Sequence, residues 1–424
     1  MAEYEQAVAD PAATLGGASD GFEPDHPSVI GHMVKSLMPG QDLTRVTIPS
    51  FFLEPRSLLE RMADTQMHPD LLLGLAGLDD PVARMRGVVR WYLSGWHYKT
   101  VGVKKPFNPI IGETFACFWK HADGSRTQYF AEQVSHRPPV SGIYFENRQH
   151  NVVASAHVWT KSQFAAPQTT KSIMDGACVL RLTNRGDEAY YITFPTYFAH
   201  NLLLGTLRME VGDVGHIVCE ATGLRADIEF TQKTMFGGAD RLHGVVGSIR
   251  RGLAAKGGEE LFTISGHWDG KMYIAPGGAA PKAAAAAAGR ELLLDVAAEP
   301  VAPKHVLPLD AQGPWESRRL WRWATHELLQ RPVVAWGTVD REKAQLEEEQ
   351  RLLPCHAGGH GGKHAAAAGS EWATKQFRQQ TVRDPLTGAC GAGLGGGGRE
   401  GGCSDEPVPV WPPDGVPVWL PVHV

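Results

Sequence analysis

A short polar and basic cluster, Ser135-His136-Arg137, leads directly into the proline pair Pro138-Pro139. A proline fixes its own φ angle at about −65° and pushes the preceding residue out of the α region. The chain is therefore expected to stay extended here, as a stiff rim that presents an imidazole beside a guanidinium. Arginine offers a planar fork of donors that matches phosphate oxygens. The cluster predicts a phosphate-facing rim, and the plainer alternative is an ordinary exposed loop.

A second stretch that can contact an anion runs from Lys104 to Phe115. Its two prolines and one glycine exclude a regular helix, so a structured loop that leads into a strand is the simplest interpretation. Lys105 precedes Pro106 and is expected to be extended, as Arg137 is. Asn108 adds an amide to the same loop. Taken alone, the lysines would be interpreted as solvated surface residues.

The third stretch is a predicted helix over residues 338–351. Lys343, Glu347 and Arg351 are spaced four apart, so they share one face at steps of about 6 Å. By default such a face is a solvated ladder of ion pairs. It becomes a candidate binding face only if other parts of the chain bring further cationic groups to it.

These stretches flank a region that predicts a β-rich fold. From about residue 115 to 275, short β-rich runs alternate with hairpin signals such as Asp123-Gly124 and Asp269-Gly270. Many short strands in succession favour an antiparallel sheet that closes into a barrel, and a large barrel encloses a cavity. The runs are Gln128–Phe130, Val152–Trp159, Ala177–Leu182, Ala189–Phe194, His216–Cys219, Ala226–Phe230 and Leu261–Trp268.

A short amphipathic helix is predicted near the N-terminus, where Ser28 can cap it. Its apolar residues fall at helical spacing on one face, which can close over a cavity, dip into a membrane surface or pack on the core. These residues are Val29, Ile30, Met33, Val34 and Leu37.

Composition limits the function further. The chain has 424 residues, 43% of them hydrophobic, and a net charge of −5, which argues against a general nucleic-acid binder. Six scattered cysteines without a Cys-x-x-Cys pair suit reduced thiols in the cytosol. No secretory signal and no long apolar run is present, which predicts a soluble protein whose membrane contact is peripheral. Cys355, His356, His360 and His364 lie in low-complexity sequence with spacing unlike zinc sites, so neither a metal nor a cofactor is expected.

The segment from Glu132 to Val140 resembles the signature of the oxysterol-binding protein family, Glu-Gln-Val-Ser-His-His-Pro-Pro. It matches seven of the first eight places and departs at Arg137, where the family has a second histidine. The loop at 105–115, the run Leu261–Gly270 and the helix at 343–351 also resemble the family. The resemblance covers roughly residues 28–380.

The resemblance implies a mainly β fold, a large antiparallel barrel around a lipid tunnel, with an N-terminal helical lid and flanking C-terminal helices. The expected organisation is a disordered leader (1–27), one lipid-binding domain (28–384) and a disordered tail (385–424). Within that domain we expect the lid at about 28–45, a low-complexity loop at 276–289 and a Gly/Ala/His-rich insert at 354–370. Relatives use the matching positions for the head group of phosphatidylinositol 4-phosphate, which here are Lys105, Asn108, His136, Arg137, Lys343, Glu347 and Arg351.

The implied function is lipid transfer without enzymatic activity. A sterol or glycerophospholipid would be exchanged for phosphatidylinositol 4-phosphate in the cytoplasm, with transient binding at membrane surfaces such as contact sites of the endoplasmic reticulum. The alternative is a lipid-gated sensor that binds the same ligands and signals through a protein partner. A lipid hydrolase is disfavoured, because no Gly-x-Ser-x-Gly elbow is present and Ser135 beside His136 would point to the opposite face.

Overall fold

The computed structural model describes residues 53–97, 105–136, 138–165, 169–186, 188–201, 208–232, 242–254, 257–278, 289–330, 341, 345, 380–383 and 390–393. The predicted lid at 28–45 and the predicted insert at 354–370 lie outside these residues, as does most of the predicted loop at 276–289.

Strands dominate the described residues. In chain order they are β1 (Leu53–Ser57), β2 (Lys105–Phe107), β3 (Thr114–Lys120), β4 (Arg126–His136), β5 (Pro139–Asn147), β6 (Val152–Ala165), β7 (Thr169–Leu182), β8 (Glu188–Thr193), β9 (Thr196–His200), β10 (Arg208–Cys219), β11 (Leu224–Thr231), β12 (Gly244–Arg251), β13 (Glu259–His267), β14 (Lys271–Pro276), β15 (Glu291–Asp295), β16 (Lys304–His305), β17 (Gln380–Arg383) and β18 (Cys390–Gly393).

Fourteen of these strands form one sheet in the order β15-β14-β13-β12-β11-β10-β8-β7-β6-β5-β4-β3-β16, with β9 paired to β7 and β10. Most neighbours in the sheet are consecutive in the chain, because short hairpin turns join them. The turn between β3 and β4 shows why: Gly124 adopts a φ angle of 81° and Ser125 N donates to the Asp123 carboxylate at 2.9 Å. The expected antiparallel, mainly β fold is confirmed.

Four α-helices are described with full bounds: α1 (Leu58–Ala63), α2 (Pro81–Ser94), α3 (Ser317–Leu320) and α4 (Arg322–Gln330). Helix α2 begins at Pro81, because the Asp80 side chain accepts from Val82 N and a proline is well tolerated in the first turn of a helix. Among the described residues no helix is long and apolar enough to cross a membrane.

Helix α2 lies against the inner side of the curved sheet. Trp91 contacts Phe145 of β5 at a ring-centroid distance of 5.7 Å, and Tyr92 contacts Phe230 of β11 at 6.3 Å. A Cβ atom at Gly215 of β10 would lie 1.9 Å from the Tyr92 hydroxyl oxygen, so only glycine allows this approach. Because α2 contacts strands that are far apart in the sheet order, the sheet must curl around the helix.

Two expectations need correction in detail. The chain at Pro138 is not an extended rim: Pro138 lies in a turn, and His136 pairs with Pro139 so that β4 and β5 form a tight hairpin. A proline suits this corner because the N–H group that it lacks has no partner strand there. In the segment predicted as a disordered tail, Cys390–Gly393 pairs with Gln380–Arg383 as two antiparallel strands.

Candidate functional site

A cavity lies between α1, α2 and the inner face of the sheet. Its empty space is about 840 Å³, counting the part that is open to solvent. The lining is mainly apolar and aromatic and consists of Leu58, Arg61, Met62, Thr65, Gln66, Trp91, Tyr92, Gly95, Trp96, Tyr129, Ile143, Phe145, Ala156, Val158, Met174, Cys178, Ile192, Phe194 and Tyr197.

The ionisable groups of this lining are held neutral or paired. Burial raises the pKa of Tyr92 well above its usual value and that of Cys178 to about 12, so both side chains stay protonated. The hydroxyls of Tyr92 and Tyr129 donate to backbone carbonyls at 3.2 and 3.3 Å. Among the described residues of the lining, Arg61 has the one charged side chain, and its Nη1 lies 3.2 Å from the Asp64 carboxylate. The wall therefore suits an uncharged, largely apolar ligand.

Three lining residues carry buried polar atoms that have no hydrogen-bond partner among the described residues. They are Nε1 of Trp91, Nε1 of Trp96 and Oε1 of Gln66. Buried polar groups are nearly always paired, so each such atom needs an explanation such as a bound ligand or water. Two indole donors and an amide acceptor together can both give a hydrogen bond to a hydroxyl group and receive one from it.

The two sequence motifs that suggested anion binding meet at the end of the β3–β4 pair. Thr114 of β3 pairs with Glu132 of β4. Beyond this pair, Gly112 N donates to the carbonyl of Gln133 at 2.8 Å, and Gln133 N donates to the carbonyl of Glu113 at 2.9 Å. The loop at 105–113 and the Gln133–His136 end of β4 therefore form one continuous backbone structure, which we call the rim.

A buried carboxylate, Glu113, fixes the loop side of this rim. It accepts hydrogen bonds from Ser57 Oγ, from Ser317 Oγ at 2.7 Å, from Trp321 Nε1 at 2.9 Å and from Ile110 N at 3.1 Å. Burial raises the pKa of Glu113, and these four donors act against that rise. One side chain thus joins the loop to β1, α3 and the chain just before α4.

Apolar packing supports the same loop from the side of α4. Phe107 stacks on Trp321 at a centroid distance of 4.8 Å, and Ile110, Ala324 and Leu328 complete this small core. Sequence reasoning missed Glu113 as a site-forming residue. The available signal was its place directly after the Gly that ends the proline-containing loop.

Only part of the predicted head-group set lies among the described residues. Lys105 is half-buried in β2, which confirms its extended backbone, and Asn108 is half-buried in the loop. His136 is the last residue of β4. The remaining members, Arg137, Lys343, Glu347 and Arg351, lie outside the described residues, as do the five apolar lid residues, Val29, Ile30, Met33, Val34 and Leu37.

Comparison with known proteins agrees with the motifs. The family model for the oxysterol-binding protein matches residues 30–332. The chain belongs to the oxysterol-binding protein family. It is 36% identical over 354 residues to oxysterol-binding protein-related protein 5 of Homo sapiens, covering 82% of this chain and 38% of the human protein. It is 33% identical over 368 residues to oxysterol-binding protein homolog 6 of Saccharomyces cerevisiae, covering 85% of this chain and 75% of the yeast protein.

Solved structures of the family share the fold. The Osh1 ORD domain in complex with cholesterol aligns with a TM-score of 0.60 and 21% identity, covering 88% of this chain and 87% of that chain. The Osh3 ORD in complex with PI(4)P from Saccharomyces cerevisiae aligns with a TM-score of 0.58 and 22% identity, covering 78% and 85%. At these identities the likeness concerns the fold. The chain spans less than two fifths of the length of the human relative.

Proposed function

We propose that this protein is a lipid-transfer protein that takes a sterol or another lipid into the cavity and exchanges it for phosphatidylinositol 4-phosphate between membranes. The observation that carries the proposal is the mainly apolar lining of the cavity between α1, α2 and the sheet in a chain of the oxysterol-binding protein family. We expect it to act in the cytoplasm and to contact membrane surfaces only peripherally.

The cavity accounts for the first cargo. Burial of hydrocarbon contributes roughly 25 cal/mol per Å². The charged side chain of the wall, Arg61, is paired with Asp64 and so adds no unpaired charge that would oppose this burial. A sterol has one hydroxyl group, which matches the unpaired indole and amide atoms of Trp96 and Gln66. The relative solved with cholesterol supports this choice by its fold.

The rim accounts for the second cargo. Cationic and amide side chains bind phosphate through charge-assisted hydrogen bonds, which offset the cost of removing the head group from water. We assign this role to Lys105, Asn108, His136, Arg137, Lys343, Glu347 and Arg351, with the helical lid at 28–45 closing over the bound lipid. The Osh3 relative, solved with PI(4)P, supports the assignment.

Transfer between liposomes tests the proposal. Donor liposomes contain phosphatidylinositol 4-phosphate and acceptor liposomes contain cholesterol, and mass spectrometry identifies the lipids that copurify with the protein. We expect Lys105→Ala, and separately the double charge reversal Lys343→Glu with Arg351→Glu, to reduce phosphoinositide extraction at least tenfold (about 1.4 kcal/mol) while leaving the fold intact. Lys271→Ala is the matched control, since this lysine is exposed on β14.

Three results are informative. Unchanged extraction by the Lys105 variant, or by the Lys343 and Arg351 double variant, would remove those residues from the site. Binding of both lipids without transfer would favour the lipid-gated sensor. A purified protein that extracts neither lipid would refute the proposed function.

A further inference from the structure

The outer face of α4 carries a tryptophan beside an arginine. Trp323 is 59% exposed, and among the described residues it is the one aromatic side chain exposed to this degree. The guanidinium of Arg322 lies over its ring, 5.1 Å from the ring centroid. A single exposed apolar side chain is common on protein surfaces, so the position and the charge of this pair decide whether it has a role.

The position is next to the rim, because the opposite face of α4 packs on the loop side of the rim. Ala324 is fully buried and Leu328 is buried, and both belong to the small core that contains Phe107 of the loop. A helix with its side chains is about 10 to 12 Å across, so Trp323 lies within about that distance of the loop. A surface that contacts Trp323 therefore comes close to the rim.

The local charge favours an anionic partner, although the whole chain carries a net charge of −5. Helices α3 and α4 contain three arginines and one glutamate. Arg318 is paired with Glu60 at 2.6 Å, and Arg319 donates to a backbone carbonyl, which is neutral. Arg322 forms no ion pair with the residues that the structure describes. Glu316, just before α3, is the nearest described carboxylate in the chain, and burial raises its pKa.

We propose that Trp323 and Arg322 form a docking face for an anionic lipid bilayer, which the protein contacts there while the rim takes up or releases a lipid. An indole ring suits the boundary between water and hydrocarbon, because its apolar body is buried while its N–H group stays hydrated. A basic side chain near an anionic bilayer increases the affinity about fivefold. The choice of a bilayer rests on the proposed function, since a lipid-transfer protein must bring its rim to a membrane.

Flotation with vesicles that contain no cargo lipid measures docking apart from transfer. The vesicles consist of phosphatidylcholine with or without phosphatidylserine, and contain neither sterol nor phosphoinositide. We expect the unmodified protein to bind the phosphatidylserine vesicles more tightly. Trp323→Ala should weaken this binding about tenfold and Arg322→Gln about fivefold. Trp323→Tyr keeps an interfacial aromatic ring and should retain most of the binding.

Salt separates the two contributions to docking. The Debye length falls from about 10 Å at 0.1 M salt to about 3 Å at 1 M. We therefore expect Arg322→Gln and the unmodified protein to bind equally at about 1 M salt. Trp323→Ala should keep its defect there, because burial of the ring does not depend on charge.

Two matched controls lie elsewhere on the molecule. Val301→Ala shortens an apolar side chain that is also 59% exposed, just before β16, which pairs with the end of β3 away from the rim. Arg251→Gln makes the same change in net charge on β12, where Arg251 is exposed. Both variants should bind vesicles as the unmodified protein does, and circular dichroism should show the same fold for all variants.

Sterol delivered from cyclodextrin, without a bilayer, separates this inference from the proposed function. Trp323→Ala should take up this sterol as the unmodified protein does, yet transfer it between liposomes about tenfold more slowly. If the unmodified protein takes up no sterol or phosphoinositide, the proposed function fails, and flotation still decides the docking face. Vesicle binding that is unchanged in Trp323→Ala and Arg322→Gln would overturn the docking face and leave a protein as the occupant. Equal binding of the unmodified protein to vesicles with and without phosphatidylserine would also overturn it.

Discussion

The cavity and the rim are built in opposite ways. The cavity wall collects apolar side chains from two helices and from the neighbouring strands β4 to β9, and none of its segments carries a compact motif. The rim uses a few polar residues from two short stretches, which the Gly112–Gln133 and Gln133–Glu113 hydrogen bonds align. Apolar wall residues are interchangeable within limits of volume, whereas a buried carboxylate with four donors is not. We therefore expect the rim to respond to single substitutions far more sharply than the cavity does.

The largest loss of stability is expected from Glu113→Ala, in the rim. It leaves the Ser57 hydroxyl, the Trp321 indole and the Ile110 amide without their acceptor, while the Ser317 hydroxyl keeps the Thr114 carbonyl at 3.1 Å. Each buried, unpaired donor costs about 1 to 3 kcal/mol, so we expect the free energy of unfolding to fall by about 3 kcal/mol or more. Urea denaturation measures the loss, and Glu259→Ala, an exposed carboxylate of β13, is the control. A loss below about 1 kcal/mol would show that water replaces the carboxylate at no great cost.

Substitution of Asp64 is expected to reduce the free energy of unfolding by a smaller amount. Asp64 lies beside the cavity wall and forms ion pairs there, and it takes no part in the rim. Burial alone would raise its pKa, but Lys304, Arg56 and Arg61 lower it to about 2. A carboxyl group whose pKa is lowered in the folded state stabilises the fold at pH values above its pKa in the unfolded chain. This stabilisation is lost as the pH falls from about 4 towards 2. Asp64→Asn should therefore reduce the free energy of unfolding by about 2 kcal/mol at pH 7 and reduce its decline over that acidic range.

Denaturation at several pH values checks this prediction. Asp123→Asn is a suitable comparison, because the Asp123 pKa is also lowered but the group is exposed in a hairpin turn. Equal losses in the two variants would contradict the importance that we give to burial of Asp64.

The smallest effect is expected at Trp96, in the cavity wall. Trp96→Phe removes the unpaired indole N–H and keeps most of the apolar volume, so we expect stability to change by less than about 1 kcal/mol. Cholesterol affinity should fall about fivefold, with no loss for a sterol analogue that lacks the hydroxyl group. Lipid titration with both sterols measures the difference, and Phe194→Leu, in the same wall, controls for shape. An equal loss of affinity for the two sterols would show that the indole of Trp96 does not contact the sterol hydroxyl group.

Local sequence patterns were sufficient where structure depends on neighbours in the chain. The stretch from Lys104 to Phe115 was predicted to be a loop that leads into a strand, and β3 follows it with burial that alternates along its whole length. The proline pair was misjudged, because proline rigidity alone does not distinguish an extended segment from the corner of a hairpin. The choice depends on whether the flanking residues find partners, as His136 and Pro139 do.

By itself the sequence determined the family, the mainly β character and the residues expected at the head group, because contiguous motifs and a two-residue period are encoded locally. Only the tertiary structure decided which distant segments meet. It placed Glu113 under donors from Ser57 and from Ser317, 56 and 204 residues away, and brought His68 against His97. It also left Nε1 of Trp96 and Oε1 of Gln66, at the cavity, without a hydrogen-bond partner among the described residues. The physical reason is that an enclosed cavity and a buried polar cluster are set by packing between segments, which the local pattern of any one segment does not specify.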